Sequence, residues 1–141
     1  MSGSPNATRK PRVNDGPVVA DASAILALLK QEPTELIDPR RLFGATVSAV
    51  NLSEIIERLC AGGLEAEEAD AAIGRLNLAI ADFTHLSARA AARLRAASRR
   101  VGLSLGDRAC LALGRELHAP VVTADRAWAG LDIGVEVILI R

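Results

Sequence analysis

Four acidic residues, Asp21, Glu54, Asp107 and Asp125, each stand where a short apolar strand is expected to give way to a helix or turn. Asp21 closes Pro17-Val18-Val19-Ala20, and Asp125 closes Pro120-Val121-Val122-Thr123-Ala124. Both therefore fall at the C-terminal ends of expected parallel strands, where open α/β sheets place their ligand crevice. Glu54 and Asp107 are each expected in the first turn of a helix, where unpaired N–H groups and the positive end of the dipole favour negative charge. Each acid alone has this ordinary structural role; four of them so placed point to one shared site. Carboxylates that converge without neighbouring lysines raise one another's pKa, and a divalent cation relieves the repulsion. Mg²⁺ or Mn²⁺ on such ligands keeps positions open for phosphate, lowers the pKa of a bound water and neutralises phosphoryl oxygens. The chemistry implied is metal-dependent phosphodiester hydrolysis.

The elements that must position these acids can be read from apolar periodicity and from breakers. Residues 1–16 combine Ser, Gly, Pro and Asn with Arg9, Lys10 and Arg12, which predicts a flexible basic N-terminal arm. The ordered domain is expected over 17–141. Strand one leads through Asp21 into a helix with Ile25, Leu26, Leu28 and Leu29, which Ser23 could cap. After Pro33 and Pro39, Ala45 to Val50 reads as a second strand, and Asn51 or Ser53 opens a helix that Gly62-Gly63 ends. Glu65 to Leu76 predicts an acidic amphipathic helix, Leu78 to Phe83 a strand, and Leu86 to Val101 a helix with apolar positions 86, 90, 94, 97 and 101. A helix carrying Asp107 and Cys110, the Val121 strand and a last strand over Glu136 to Ile140 complete the chain. This alternation implies an α/β fold with a mainly parallel central sheet and helices on both faces.

The totals limit the function. At 141 residues with half of them apolar, the chain makes one domain with a substantial core. Lys plus Arg and Asp plus Glu are 17 each, so any nucleic-acid surface has to be local. Cys60 and Cys110 match neither a metal knuckle nor a redox pair and read as buried free thiols in a reducing compartment. The longest apolar run, Ala24 to Leu29, is too short for a membrane span, and the N-terminus lacks the apolar segment of a signal peptide. A cytoplasmic protein with no membrane association is expected. A phosphoacceptor domain would need a lysine near a late strand end, whereas the lysines are Lys10 and Lys30. No Gly-rich loop follows strand one, which excludes the P-loop and dinucleotide-binding classes.

Four blocks in order carry a family resemblance: Val19-Ala20-Asp21-Ala22-Ser23-Ala24, Ala49-Val50-Asn51-Leu52-Ser53-Glu54, Leu103-Ser104-Leu105-Gly106-Asp107-Arg108-Ala109-Cys110-Leu111-Ala112, and Val122-Thr123-Ala124-Asp125-Arg126-Ala127-Trp128. Over residues 17–141 the chain resembles the PIN-domain ribonucleases, in particular the VapC-type toxins of bacterial toxin–antitoxin pairs. The resemblance implies a three-layer α/β/α PIN-like fold. It implies that Asp21, Glu54, Asp107 and Asp125 hold Mg²⁺ or Mn²⁺, with Thr123 and Ser23 supporting the site by hydrogen bonds. It further implies endonucleolytic cleavage of RNA, with tRNA or rRNA as the substrate class and arrest of translation as the result. The implied partners are a second copy of the chain and a VapB-type antitoxin, in a heterotetramer or larger assembly. All four acids match the pattern; the departure is the sixteen-residue extension ahead of the first strand. The alternative is a catalytically silent PIN fold serving as an interaction module, which would be expected to lack one of the acids.

Arg89, Arg93, Arg95, Arg99, Arg100 and Arg108 make the stretch from Leu86 to Arg108 strongly basic. Arginine's planar fork suits phosphate, so this stretch could hold an RNA backbone. The competing reading is a solvated face paired with the acidic helix of Glu65, Glu67, Glu68 and Asp70. Arg93, Arg100, Arg108 and Arg126 are the RNA-contact candidates, the last two because each follows a site acid. His85 and His118 lack metal-ligand neighbours and read as surface or capping residues. Trp128, Phe43 and Phe83 are too few for a base-stacking platform, and Trp128 reads as a packing anchor near the site rim.

Overall fold

The computed structural model describes residues 16–99 and 101–141. The first fifteen residues of the expected basic arm, and the RNA-contact candidate Arg100, lie outside the described residues. Five short strands form one sheet, β1 (Val19–Ala20), β2 (Thr46–Ser48), β3 (Ala79–Ala81), β4 (Val121–Thr123) and β5 (Val137–Leu139). The spatial order is β3-β2-β1-β4-β5, and every pairing is parallel. Five helices accompany them: α1 (Ala22–Leu29), α2 (Ala49–Ala61), α3 (Ala66–Gly74), α4 (His85–Ala97) and α5 (Leu105–Leu117). Two 3₁₀ helices, Pro39–Leu42 and Arg126–Gly130, complete the described elements. The expected parallel α/β architecture is present.

Alternation of side chains along the strands divides the core into two layers. Val18, Ala20 and Val122 pack with Ile25 of α1, Ile55 and Leu59 of α2 and Ile73 of α3. Val19 and Val121 face the other way, onto Leu94 of α4 and Cys110 and Leu111 of α5. Trp128 is fully buried in this second layer, its indole N–H without an acceptor among the described residues. The expected packing role for Trp128 is thus what its burial shows. Each fully buried Ile or Leu contributes roughly 1.5–3 kcal/mol relative to exposure, so both faces of the sheet depend on their helices. No helix among the described residues is long and apolar enough to cross a membrane.

Two element boundaries differ from expectation, for local reasons. The second strand stops at Ser48, whose side chain accepts a hydrogen bond from the N–H of Val50 at 3.2 Å and so begins α2 at Ala49. A serine N-cap here outweighs the β preference of Val50. Glu54 consequently lies in the second turn of α2, not the first, and is not at a strand end. The helix expected to reach Val101 ends at Ala97, and the chain turns through Gly102, whose φ of +68° suits glycine. Leu86, expected on the apolar stripe of α4, is 66% exposed, while Leu94 is buried as expected.

Helix α5 approaches the sheet closely because Gly114 has no side chain. A Cβ there would press on a methyl of Val121 and lie 3.0 Å from Val135 Cγ2 and 3.2 Å from the carbonyl oxygen of Ala119. Val121 is fully buried and β-branched, so it has little freedom to move aside. Gly114→Ala gains about 1 kcal/mol in helix propensity but incurs overpacking of about 1–3 kcal/mol. We expect net destabilisation, seen as a lower denaturation midpoint in urea; an unchanged or higher midpoint would contradict this close packing.

Candidate functional site

The chain runs from β1 outward through β2 to β3, then returns to the opposite side of β1 to form β4 and β5. The order of strands therefore reverses between β1 and β4, the position at which parallel α/β sheets open a crevice beyond their strand ends. Asp21 directly follows β1, and Asp125 lies two residues beyond β4. The pairing of Ala20 with Val122 brings the two strand ends level, and the Asp21 N–H donates to the carbonyl of Val122 at 2.9 Å.

Asp21 is 5% exposed and is held by two hydroxyl groups. Its Oδ2 accepts from Ser23 Oγ at 2.7 Å and from Thr123 Oγ1 at 2.9 Å. Each hydroxyl has one proton to give, so donation to Asp21 leaves both oxygens as acceptors. Ser23 Oγ accepts from the N–H of Ala124 at 2.9 Å, and Thr123 Oγ1 accepts from the N–H of Asp125 at 3.0 Å. The expected supporting residues Thr123 and Ser23 both lie on Asp21. Burial raises the Asp21 pKa above its ordinary 3.8, the hydrogen bonds from Ser23 and Thr123 oppose that shift, and the charge of Asp107 adds to it.

Glu54 is positioned from α2 by a residue that the sequence reading assigned only to a helix start. Asn51, fully buried, donates its Nδ2 to Glu54 Oε1 at 2.8 Å and to the Gly106 carbonyl at 3.1 Å. The three-residue spacing puts Asn51 and Glu54 on one helix face, and that spacing was the available signal. A Cβ on Gly106 would collide with the Glu54 carboxylate, reaching its Cδ at 2.7 Å. Gly106 thus lets Glu54 lie against the first turn of α5. Asp107, in that turn, forms a capping box with Ser104: its Oδ2 accepts from the Ser104 N–H at 2.9 Å, and its own N–H donates to Ser104 Oγ at 3.2 Å. Asp107 follows a loop, not a strand, so of the four acids only Asp21 and Asp125 stand beyond strand ends.

A buried thiol reports how these acids converge. Burial pushes the Cys110 pKa well above its ordinary value, and the charges of Asp21, Asp107 and Glu54 push it further, in that order. The charges of Asp21, Asp107 and Glu54 thus all act on this one buried thiol. Cys60, by contrast, is only half-buried. Asp125 is exposed; its backbone N–H, not its carboxylate, reaches Thr123, while its Oδ1 accepts from the N–H of Ala127 at 3.0 Å and caps the second 3₁₀ helix. Among the described residues no three Asp, Glu, His or Cys side chains lie close enough to enclose one metal ion directly. The donor set nonetheless suits Mg²⁺ or Mn²⁺: it is all carboxylate, its buried member is disfavoured as an anion, and Mg²⁺ retains waters that bridge longer spans.

The arginines distribute unevenly. Arg108 donates from Nη1 to the Ala91 carbonyl at 3.1 Å and from Nε to the Leu103 carbonyl at 3.4 Å, tying α5 to α4. Arg126 is exposed and donates to the C-terminal Arg141 carbonyl at 3.3 Å, and Arg93 is exposed on α4. The ion pairs among the described residues are Asp38–Arg40 and Glu32–Arg141, so the alternative of α4 arginines paired with the acids around α3 is not realised. His85 begins α4 and His118 caps α5 in a left-handed conformation.

Comparison with known proteins follows this geometry. The PIN domain family model matches residues 18–133. A toxin–antitoxin complex from Klebsiella pneumoniae is similar in structure with a TM-score of 0.59 and 14% identity, covering 84% of this chain and 98% of that one. VapBC2 from Rickettsia felis, bound to a DNA fragment from its promoter, is similar with a TM-score of 0.64 and 14% identity, covering 84% of this chain and 94% of that one. No curated protein matches the chain in sequence.

The raised pKa of Asp21 has a consequence for stability. The folded state keeps this proton to higher pH than the unfolded chain does, so the stability linked to it is full below the unfolded value near 3.8 and is lost as pH rises through the folded value. At neutral pH, without metal, the Asp21 anion therefore weakens the fold. Asp21→Asn, melted in EDTA, is expected to exceed the wild type by a few degrees at neutral pH, the gap closing as pH falls towards 4. A variant that melts below the wild type at neutral pH would refute this.

Proposed function

This chain belongs to the PIN-domain family, and from that premise we propose that it is a Mg²⁺- or Mn²⁺-dependent endoribonuclease acting as the toxin of a toxin–antitoxin pair. The observation that carries the reading is the hydrogen-bonded seam in which Thr123 holds both the Asp21 carboxylate and the backbone N–H of Asp125, with Asn51 holding Glu54 against the first turn of α5, which carries Asp107. Asp21, Glu54, Asp107 and Asp125 are the ligands we assign. There they would hold a divalent ion, whose chemistry would be positive charge for the phosphoryl oxygens and a lowered pKa for the attacking water. The chain itself supplies orientation. Ser23 and Thr123 fix the Asp21 carboxylate, Asn51 fixes that of Glu54, and the Ser104 capping box fixes that of Asp107. Holding ligands in place before substrate arrives removes reorganisation from the reaction.

The presence of all four acids favours an active nuclease over a silent PIN-fold interaction module, which would be expected to lack one. For the antitoxin partner, support comes from the fold shared with toxin–antitoxin proteins and from exposed apolar side chains. Leu86 is 66% and Leu117 48% exposed, apolar side chains that a partner could cover. A homodimer within a larger complex with antitoxin, in the cytoplasm, fits this role. The RNA class we assign is tRNA or rRNA, whose cleavage stops translation.

Purified protein freed of antitoxin should cut total cellular RNA at discrete sites with Mn²⁺, and should not cut in EDTA or as Asp21→Asn. Equal cutting by Asp21→Asn would end the site assignment; no cutting by folded wild type under any condition would favour the silent module. Metal should also raise the wild-type Tm, because a ligand bound only by the native state stabilises it by mass action, and Asp107→Asn should blunt that response. Gly106→Ala should displace Glu54 and lower the cleavage rate by about 100-fold, since small misplacements of reacting groups are costly. Retention of the wild-type rate would mean that the Glu54 position is immaterial.

A further inference from the structure

A cleft of about 360 Å³ opens where α4 turns towards α5, lined by Arg95, Ser98, Arg99, Gly102, Leu103 and Arg108. Three guanidinium groups thus border one concavity, and none is paired with a carboxylate among the described residues. Arg108 is anchored to the Ala91 and Leu103 carbonyls, which fixes one wall. Arg95 and Arg99 are exposed. Like charges brought together without counterions repel, and the arrangement becomes favourable when an anion enters. Arginine's flat fork matches phosphate oxygens.

The position of the cleft says which anion. Leu103 on its wall immediately precedes Ser104, the partner of Asp107 in the capping box. A second cleft of about 520 Å³ shares Ser98 and Arg99 with the first and extends to Ala127, Gly130 and Leu131 in and beyond the 3₁₀ helix that Asp125 caps. The two together run alongside the segments carrying Asp107 and Asp125. We propose that the Arg95–Arg99–Arg108 cleft binds a backbone phosphate of single-stranded RNA flanking the bond to be cut. The neighbouring cleft, of mixed polarity and lined also by Val101, Leu131 and Asp132, then receives the sugar and base attached to that phosphate. That the cleaved bond lies beside this phosphate rests on the nuclease reading, but the phosphate site itself stands on the cleft. It also narrows the basic stretch: Arg93 lines neither cleft, and Arg95 and Arg99, absent from the candidates read from sequence, line the phosphate site. An acidic protein segment is the competing occupant, and the continuity with the Asp107 and Asp125 segments favours RNA.

The test is binding of a 5′-labelled oligouridylate in EDTA, across a salt series, by wild type, by the double variant Arg95→Gln/Arg99→Gln, and by Arg75→Gln/Arg115→Gln as a control of equal charge. Both pairs are exposed, so the fold should survive, which a melting curve checks. We expect the cleft variant to raise Kd several-fold and to flatten the log–log salt slope by about 0.7 per contact removed. The control should do neither. In cleavage, the cleft variant should raise KM and leave kcat nearly unchanged, as loss of uniform binding does. Wild-type affinity and slope in the cleft variant would overturn the inference while leaving the nuclease intact, as would equal loss in the control. If the cleft variant instead keeps its RNA affinity and loses binding of an acidic peptide, the cleft belongs to a protein partner and the inference falls. A loss of RNA binding in the cleft variant alongside a wild type that never cuts RNA would uphold the phosphate site and reject the nuclease.

Discussion

The buried carboxylate of Asp21 is the constraint around which this end of the molecule is arranged. It sits at the reversal of strand order, 5% exposed, with hydroxyl donors from both sides of the β1–β4 seam on one of its oxygens. An unpaired anion in such a place is costly, and two neutral donors offset only part of that cost. The same two hydroxyls accept from the backbone N–H groups of Ala124 and Asp125, so the loop beyond β4 is held by the residues that hold Asp21. Removing either hydroxyl would loosen a loop as well as a carboxylate. The seam is therefore one cooperative unit, not a list of separate contacts.

From the other side the site is closed by packing without side-chain volume. Gly106 admits the Glu54 carboxylate at the start of α5, and Gly114, two turns later, admits the sheet. One helix thus makes two close approaches, to α2 at its beginning and to β4 near its end. Asn51 reinforces the first by donating to both Glu54 and the Gly106 carbonyl. The Cys110 thiol lies under these acids, fully buried, where a residue of its size fills space without adding charge.

Much of this was legible in the sequence. Valine-rich runs ending in Asp21 and before Asp125 marked the central strands, and their alternation with amphipathic segments marked a parallel sheet, because period-two and period-3.6 patterns are set by local geometry. Boundaries were less legible. Ser48 begins α2 three residues before Asn51, since one side-chain cap decides a helix start that β-prone neighbours would place later. The supposition that every acid stands at a strand end failed for Glu54 and Asp107, which reach the site from helices. The Asn51 contact with Gly106 spans 55 residues and leaves no periodic trace. Ion pairing of the α4 arginines to the acidic helix was a matter of composition, and composition does not say which faces meet.

The arginines of the cleft and the acids of the site are best understood together. The chain has 17 basic and 17 acidic side chains, so its net charge is zero, yet the two signs are kept apart where they matter. Pairing Arg95 or Arg99 with Asp107 would relieve both groups and would be the cheaper arrangement for a protein selected for stability alone. The fold instead spends Arg108 on the Ala91 and Leu103 carbonyls, which fixes the distance between the cleft and the first turn of α5. A cleft lined by arginines beside a segment that carries a site acid suits a ligand that carries anionic groups at regular intervals and needs a cation at only one of them. A polyanion such as a nucleic-acid strand has that form, since its phosphates recur along the chain and its counterions are exchangeable. The instability tolerated at Asp21 and the charge that no described carboxylate pairs at Arg95 and Arg99 are then two sides of one requirement, that the protein be completed electrostatically by what it binds.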